Sequence, residues 1–327
     1  SAIDSQPGQL RLNFADGMTQ DVTSNWGAGL KNIVLAGMGG SALAADVVRN
    51  WLGTRLLVPF EIVRGYTLPG YVGPETLVII SSYSGNTEET LAAFQDAKKR
   101  SARIVIMTAG GTLLDLAQDT GYMLLELPEV SQPRLSVLAG VKALACVLED
   151  ARLTEGVDLR RELLDLADWL DIEKSAFNAD NTKGENLALD IAEKLVGKPV
   201  VVYSGMSLRS AAYKWKIDIN ENAKQLAWCN VFSELNHNEM QGWLFPEEKP
   251  VTSIVLHSNL EFARINKRMD VMQDILKSHG YEPEIVEARG TTQLQQLLWT
   301  ILLGDYVSAY LGLMNGVDPT PVDLVED

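Results

Sequence analysis

Two glycine- and serine-rich turns in this chain carry the residue types that hold an anion. The first, Gly37-Met38-Gly39-Gly40-Ser41, follows the apolar run NIVLAG and opens a helical stretch. The second lies in IISSYSGNTEET at 79–90, where an apolar run breaks at Tyr83-Ser84-Gly85-Asn86 and a helix begins. In an open parallel sheet, ligands bind beyond the carboxyl ends of the strands. A helix N-terminus at that place offers unpaired N–H groups and about half a positive charge, which suits a phosphate. Ser82, Ser84 and Thr87 add hydroxyl donors, and Gly85 lets the backbone come close. The same residues also suit a plain helix start, with Ser84 and Thr87 as caps and Asn86 and Glu89 as ordinary turn residues. The first turn is not G-x-x-x-x-G-K-[ST], so it is no P-loop. It also fails G-x-G-x-x-G, because Ala42 takes the last position, and no acidic residue convincingly ends the next strand.

These turns need strands and helices to hold them. Short β-rich runs at 32–37, 60–64, 77–82, 103–109 and 122–128 alternate with helical stretches, and a buried helix is expected at 135–150. The alternation resumes with strands at 199–205, 251–257 and 284–289, each followed by a long helix. Strands alternating with helices predict βαβ units and a mostly parallel sheet covered on both faces. At 327 residues, two domains are expected, here 1–152 and 153–327, with the charged helical stretch after 152 as a connecting layer. NIVLAGMGGSALAADVV and PVVVYSGMSLRSAAYKW share a strand, glycine, small polar residue, helix layout, which suggests a distant internal duplication. The fold class is therefore α/β, two subdomains with doubly wound sheets.

The net charge is −15, so nucleic acids and anionic membranes are poor partners. A phosphorylated substrate would need a locally built site of N–H groups and a few placed cations. Cys146 and Cys229 read as small apolar residues, with no disulfide framework or C-x-x-C metal site. No zinc set forms around His237 and Glu239, because His257 and His279 lie in separate segments. No apolar run is read as a membrane span, and the opening SAIDSQPGQLRLNFADG does not read as a secretory signal. A cytoplasmic protein is expected.

GMGGSA and SSYSGNTEET together resemble the sugar isomerase (SIS) domain. Over nearly its full length, the chain resembles the phosphoglucose/phosphomannose isomerase family of archaea and some bacteria. The likeness runs through QPR at 132–134, INENAK at 219–224, SELNHNE at 233–239 and GVDPTPV at 316–322. It implies two SIS-type subdomains and an aldose–ketose isomerase acting on a 6-phosphosugar through a cis-enediol, with no metal and no redox cofactor. By this resemblance Glu221 is the proton-transfer base, His237 helps open the ring, and Arg134 steadies the enediolate. Ser41, Ser82, Ser84 and Thr87 hold the phosphate, with Gly40 allowing close approach. A homodimer is implied, with His237 near the partner's site. Without the resemblance, Glu221 reads as a solvated helix residue, His237 as structural and Arg134 as a partner for some carboxylate. A phosphosugar-binding SIS module, or an SIS enzyme of amino-sugar or ketopentose phosphates, are the alternatives. The family's site lysine near the chain end has no counterpart after Lys277, so the chain either stops short of it or lacks it. Thr320, in the same turn, is a candidate for accommodating either C2 epimer.

Overall fold

Runs rich in valine and isoleucine pair side by side as parallel strands in each half of the chain. The computed structural model describes residues 2–14, 26–248 and 250–326. The chain divides into two compact units, Ser1–Trp169 and Leu170–Asp327. That division falls later than the 152/153 boundary read from the sequence, because the next stretch is tied back to the first unit. Thr154 bridges to Leu56, Arg55 pairs with Glu162 at 2.6 Å, and Arg160 pairs with Asp150 at 2.8 Å.

The first unit holds β1 (Asn32–Gly37), β2 (Phe60–Val63), β3 (Thr76–Ser81), β4 (Arg103–Thr108) and β5 (Met123–Glu126). All pair in parallel, in the order β2-β1-β3-β4-β5. Its helices are α1 (Gln6–Gln9), α2 (Gly39–Leu52), α3 (Glu88–Lys99), α4 (Gly111–Thr120) and α5 (Val137–Asp150), and α6 (Leu159–Glu173) begins in it. Every residue of β3 is buried, as a central strand covered on both faces requires. Phe94 and Ala97 of α3 and Leu113 of α4 pack over Val34, Val78, Ile80 and Ile106. Each of these valine, isoleucine, leucine and phenylalanine side chains fully withdrawn from water contributes about 1.5–3 kcal/mol. On α5, Gly140 permits close packing, since a Cβ there would lie 2.7 Å from the Ala44 methyl of α2. The strand order reverses between β1 and β3. A sheet of this kind opens a crevice at the carboxyl ends of those two strands.

The second unit is a four-stranded parallel sheet of β6 (Val200–Ser204), β7 (Ala227–Val231), β8 (Thr252–His257) and β9 (Glu284–Glu287), ordered β7-β6-β8-β9. Its helices are α7 (Leu187–Leu195), α8 (Arg209–Ala223), α9 (Ala263–Ser278), α10 (Gln293–Met314) and α11 (Asp323–Glu326). Strand β7 is not marked by the sequence pattern. It is an edge strand paired only with β6, and its Trp228 is half exposed. Helix α10 starts at a full capping box between Thr292 and Gln295. Among the described residues it is the one helix long and apolar enough to cross a membrane, yet 78% of its apolar window is buried inside the fold. It packs on α7 and α8. The two parallel-sheet units, each flanked by helices, are the predicted fold class.

Candidate active site

The first turn leaves β1 at Gly37, and Gly39 begins α2 with φ +47°, a conformation that favours glycine. Gly40 follows beneath a third turn, Gln132-Pro133-Arg134. A Cβ at Gly40 would come 3.4 Å from both the Pro133 carbonyl oxygen and the Arg134 Cα. The two turns therefore meet at the N-terminus of α2. Arg134 is 3% exposed, and its Nη1 donates to Gln132 Oε1 at 3.1 Å. It is the one cation in the segments 37–41, 82–87 and 132–134.

The turn after β3 is locked to the turn after β1. The Tyr83 N–H donates to Ser41 Oγ at 3.0 Å, and Ser81 Oγ donates to the Ser41 carbonyl at 3.1 Å. Gly85 has φ +70°, and a Cβ there would lie 1.8 Å from the Gly110 carbonyl oxygen, so a side chain is excluded twice over. The Tyr83 hydroxyl accepts from Val130 N–H at 2.7 Å and donates to the Pro128 carbonyl at 3.1 Å, which ties in the segment leading to Arg134. Asn86 Oδ1 takes two bonds from Thr112, its N–H at 3.0 Å and its hydroxyl at 2.9 Å. Residue type did not point to Tyr83 or Asn86, whose partners are distant in sequence.

The hydroxyls have a common pattern. Ser41 Oγ accepts from Tyr83 N–H, Ser84 Oγ from Asn86 N–H at 3.3 Å, and Ser82 Oγ from Gly85 N–H at 3.1 Å. Ser82 Oγ and Thr87 Oγ1 lie 2.9 Å apart. A hydroxyl that accepts keeps its own proton to donate, and in the Ser82–Thr87 pair one of the two protons is spent on the other hydroxyl. Thr87 is the N-cap of α3, yet its side chain makes no capping bond, and Ser41 is likewise not a cap of α2. The plain capping reading of Thr87 therefore fails. The first-turn N–H groups of α2 and α3 are left without a side-chain cap, beside hydroxyls that can donate. Such a set matches an acceptor-only anion. The structure thus brings Gly40, Ser41, Ser82, Ser84, Thr87 and Arg134 together in the first unit.

Glu221 and His237 belong to the second unit, on separate elements. Glu221 is half-buried in the last turn of α8. Lys224 ends that helix in the left-handed conformation, with φ +52°. Its Nζ donates to the Glu221 carbonyl and the Pro321 carbonyl, both at 2.6 Å, binding the turn that carries Thr320 to the end of α8. An ammonium group thus stands at that turn although no lysine follows Lys277. Beneath Glu221, Lys214, Asp218 and Asp305 are fully buried. Lys214 and Asp218 stand four residues apart on α8, and Lys214 Nζ donates to both Asp218 oxygens. His237 is exposed and closes the 3-10 turn Glu234–His237. Just after it, Glu239 accepts from the Tyr203 hydroxyl and the Asn230 amide, each at 2.5 Å. Burial, then the Glu239 hydrogen bond, pushes the Tyr203 hydroxyl far above its ordinary pKa.

The turn after β6 repeats the layout of the one after β1, but it is filled from within. Glu261 Oε2 accepts from the Ser207 N–H at 2.8 Å and from Ser207 Oγ at 2.7 Å. A Cβ on Gly205 would lie 2.0 Å from that same oxygen. Its other oxygen accepts from Phe262 N–H at 3.0 Å.

Residues 28–142 match the SIS domain, and residues 184–327 match the bacterial phospho-glucose isomerase C-terminal SIS domain. One match lies in each unit. The chain is 35% identical over 301 residues to the bifunctional phosphoglucose/phosphomannose isomerase of Caldicellulosiruptor bescii, covering 91% of this chain and 88% of that protein. It belongs to the bifunctional phosphoglucose/phosphomannose isomerase family. The family member from Aquifex aeolicus is 34% identical over 298 residues, 90% of this chain and 88% of its own. A hypothetical protein from Thermus thermophilus shares the fold at a TM-score of 0.76, with 20% identity, over 99% of this isomerase and 87% of that structure.

Proposed function

We propose that this isomerase interconverts glucose 6-phosphate with fructose 6-phosphate, and mannose 6-phosphate likewise, through a cis-enediol. Family membership supports the reaction class. The observation that carries the substrate class is the pair of interlocked turns at 37–41 and 82–87, whose hydroxyls keep protons to donate beside two uncapped helix N-termini. In this reading Gly40, Ser41, Ser82, Ser84 and Thr87 hold the phosphate, and the rest of the sugar carries the chemistry.

His237 helps open the ring by passing a proton between the ring oxygen and the C1 hydroxyl. Glu221 then takes the proton from C2 of the open aldose. The electron pair forms the C1–C2 double bond, and the oxygen on C1 gains a proton, giving the enediol. Arg134 steadies the negative charge that passes over the two oxygens. Glu221 returns its proton to C1 while the C2 hydroxyl loses its own and becomes the ketone. No redox partner is consumed. Glucose and mannose 6-phosphates are C2 epimers and lose that stereocentre at the same enediol, so a carboxylate able to address either face serves both. The exposure of His237 supports a homodimer in which it serves the partner's site. The reading also makes the protein cytoplasmic, where sugar phosphates are held.

The test is turnover by full-length protein on each sugar phosphate, coupled to detection of fructose 6-phosphate, with proton exchange at C2 followed in deuterated water. Exchange and turnover are expected, and Glu221→Gln should lower kcat by about three orders of magnitude or more with KM little changed. Tight phosphosugar binding without exchange at C2 would instead identify a sensor. Full turnover by Glu221→Gln would mean another group is the base.

A further inference from the structure

His237 is exposed, yet the residues on either side of it are fastened. Asn236 Nδ2 donates to Met240 Sδ at 2.8 Å, and Asn238 Nδ2 to Glu234 Oε1 at 2.9 Å, so two bonds cross the histidine in opposite directions. Asn238 Oδ1 also accepts from the Glu239 N–H at 2.6 Å. Before His237, Phe232 and Leu235 are buried, and after it Met240 and Trp243 pack against the same apolar cluster.

Glu239 stands two residues after His237 and holds the segment to the sheet. Its Oε1 accepts from the Tyr203 hydroxyl of β6, and its Oε2 from the Asn230 amide of β7, each at 2.5 Å. Tyr203 is 1% exposed, and its ring lies edge-on to Phe232 and Trp243 with centroids 6.3 and 6.4 Å away. Its hydroxyl also accepts from Trp243 Nε1 at 3.1 Å. Asn230 Oδ1 is spent on the Val231 N–H at 2.8 Å, which turns the amide NH2 towards Glu239. Two donors from two strands thus converge on one side chain, and a carboxylate presents an acceptor to each, where an amide would present only one. Apolar packing already seats this segment. The carboxylate adds direction, because a hydrogen bond weakens steeply as it bends.

We propose that Glu239 is a positioning residue for His237, clasping Tyr203 and Asn230 so that the imidazole is presented from a fixed turn. The proposal rests on His237 being the group that opens the sugar ring. Glu239 acts through the backbone of the turn and takes no proton itself. Moving a proton between the ring oxygen and the C1 hydroxyl requires the imidazole within hydrogen-bond reach of both. A turn released to shift by about 1 Å would lose up to roughly a hundredfold in rate.

The experiment is a double-variant cycle in the full chain, read as kcat/KM on glucose 6-phosphate and on the same sugar deuterated at C2. Glu239→Gln keeps the volume but leaves one of the two donors facing another donor, and should lower kcat/KM by roughly tenfold to a hundredfold. Added to His237→Ala it should cost less than about twofold more, because the histidine it aims is gone. Ring opening is slowed while C2–H cleavage is untouched, so the deuterium isotope effect should stay at or below that of the parent. Tyr203→Phe keeps the ring and removes one of the two bonds, and should follow the same pattern with a smaller loss. Losses that multiply in the double variant, or an isotope effect that rises, overturn the proposal. So do a kcat/KM within about twofold of the parent in both clasp variants and failure of both to fold, since the clasp would then be idle or purely structural. Full turnover by His237→Ala refutes the underlying assignment separately, whatever the clasp variants do.

Discussion

Replacing Gly40 by alanine separates the folding role of the first turn from its binding role. Gly40 is the second residue of α2 and lies outside the left-handed region. The new methyl would meet the Pro133 oxygen and the Arg134 Cα at 3.4 Å, an ordinary van der Waals contact. Alanine in place of glycine in a helix gains at most about 0.5–1 kcal/mol. For a unit of this size that raises Tm by roughly 1–4 °C. In the proposed phosphate seat, the same methyl would stand in the approach to the N–H groups at the start of α2. Losing one hydrogen bond to a charged group costs about 1.5–3 kcal/mol. At about 1.4 kcal/mol per tenfold, KM rises by roughly 10–150-fold. The phosphate is held equally in ground and transition states, so kcat should fall much less than KM rises. A thermal melt and steady-state kinetics on glucose 6-phosphate read both quantities from one preparation. A raised Tm with an unchanged KM would refute the seat at Gly40, and a Tm lowered by several degrees would refute the packing argument.

Two further outcomes concern stability and ionisation. Gly85→Ala forces a left-handed alanine and a Cβ into the Gly110 carbonyl, which together should cost about 2–5 kcal/mol in denaturant melts, and a loss below about 0.5 kcal/mol would contradict the turn geometry. Burial, then the hydrogen bond to Glu61, pushes the Tyr71 hydroxyl up to about 12. A phenol whose folded pKa is raised contributes stability that is fully present below its ordinary value of about 10 and is lost as pH rises through the folded value. An absorbance titration should therefore show Tyr71, identified by its loss in Tyr71→Phe, ionising near 12. In Glu61→Gln it should ionise earlier, and ionisation near 10 in the parent protein would remove the Glu61 contact.

Much of the fold is legible in the chain because parallel strands buried on both faces must be continuous apolar runs. Runs such as LVIISS and RIVIMTA can be little else when glycine turns and helical stretches bound them. Strand β7 escapes this logic. AWCNV lies at a sheet edge with Trp228 half exposed, so it lacks the apolar continuity of its neighbours. The two glycine turns are legible for a related reason, since Gly39 and Gly85 adopt positive φ that few other residues tolerate. What the hydroxyls bond to is not legible, because Ser41 meets Tyr83 and Tyr83 meets Val130 only after the strands have paired. Lys214 misleads in the opposite direction. A lysine four residues before an aspartate suggests a solvated helix face, whereas in the fold Asp305 of α10 lies against it and accepts from Lys214.

The carboxylate of Glu261 sets the turn after β6 apart from the turn after β1, whose layout it shares. Its counterpart turn after β1 offers donors to whatever anion diffuses in, whereas the turn after β6 is supplied by a side chain that never leaves. A tethered group competes at an effective concentration that free metabolites do not reach. The two turns thus share a layout, while the donors of the second are already taken by a carboxylate of the same chain.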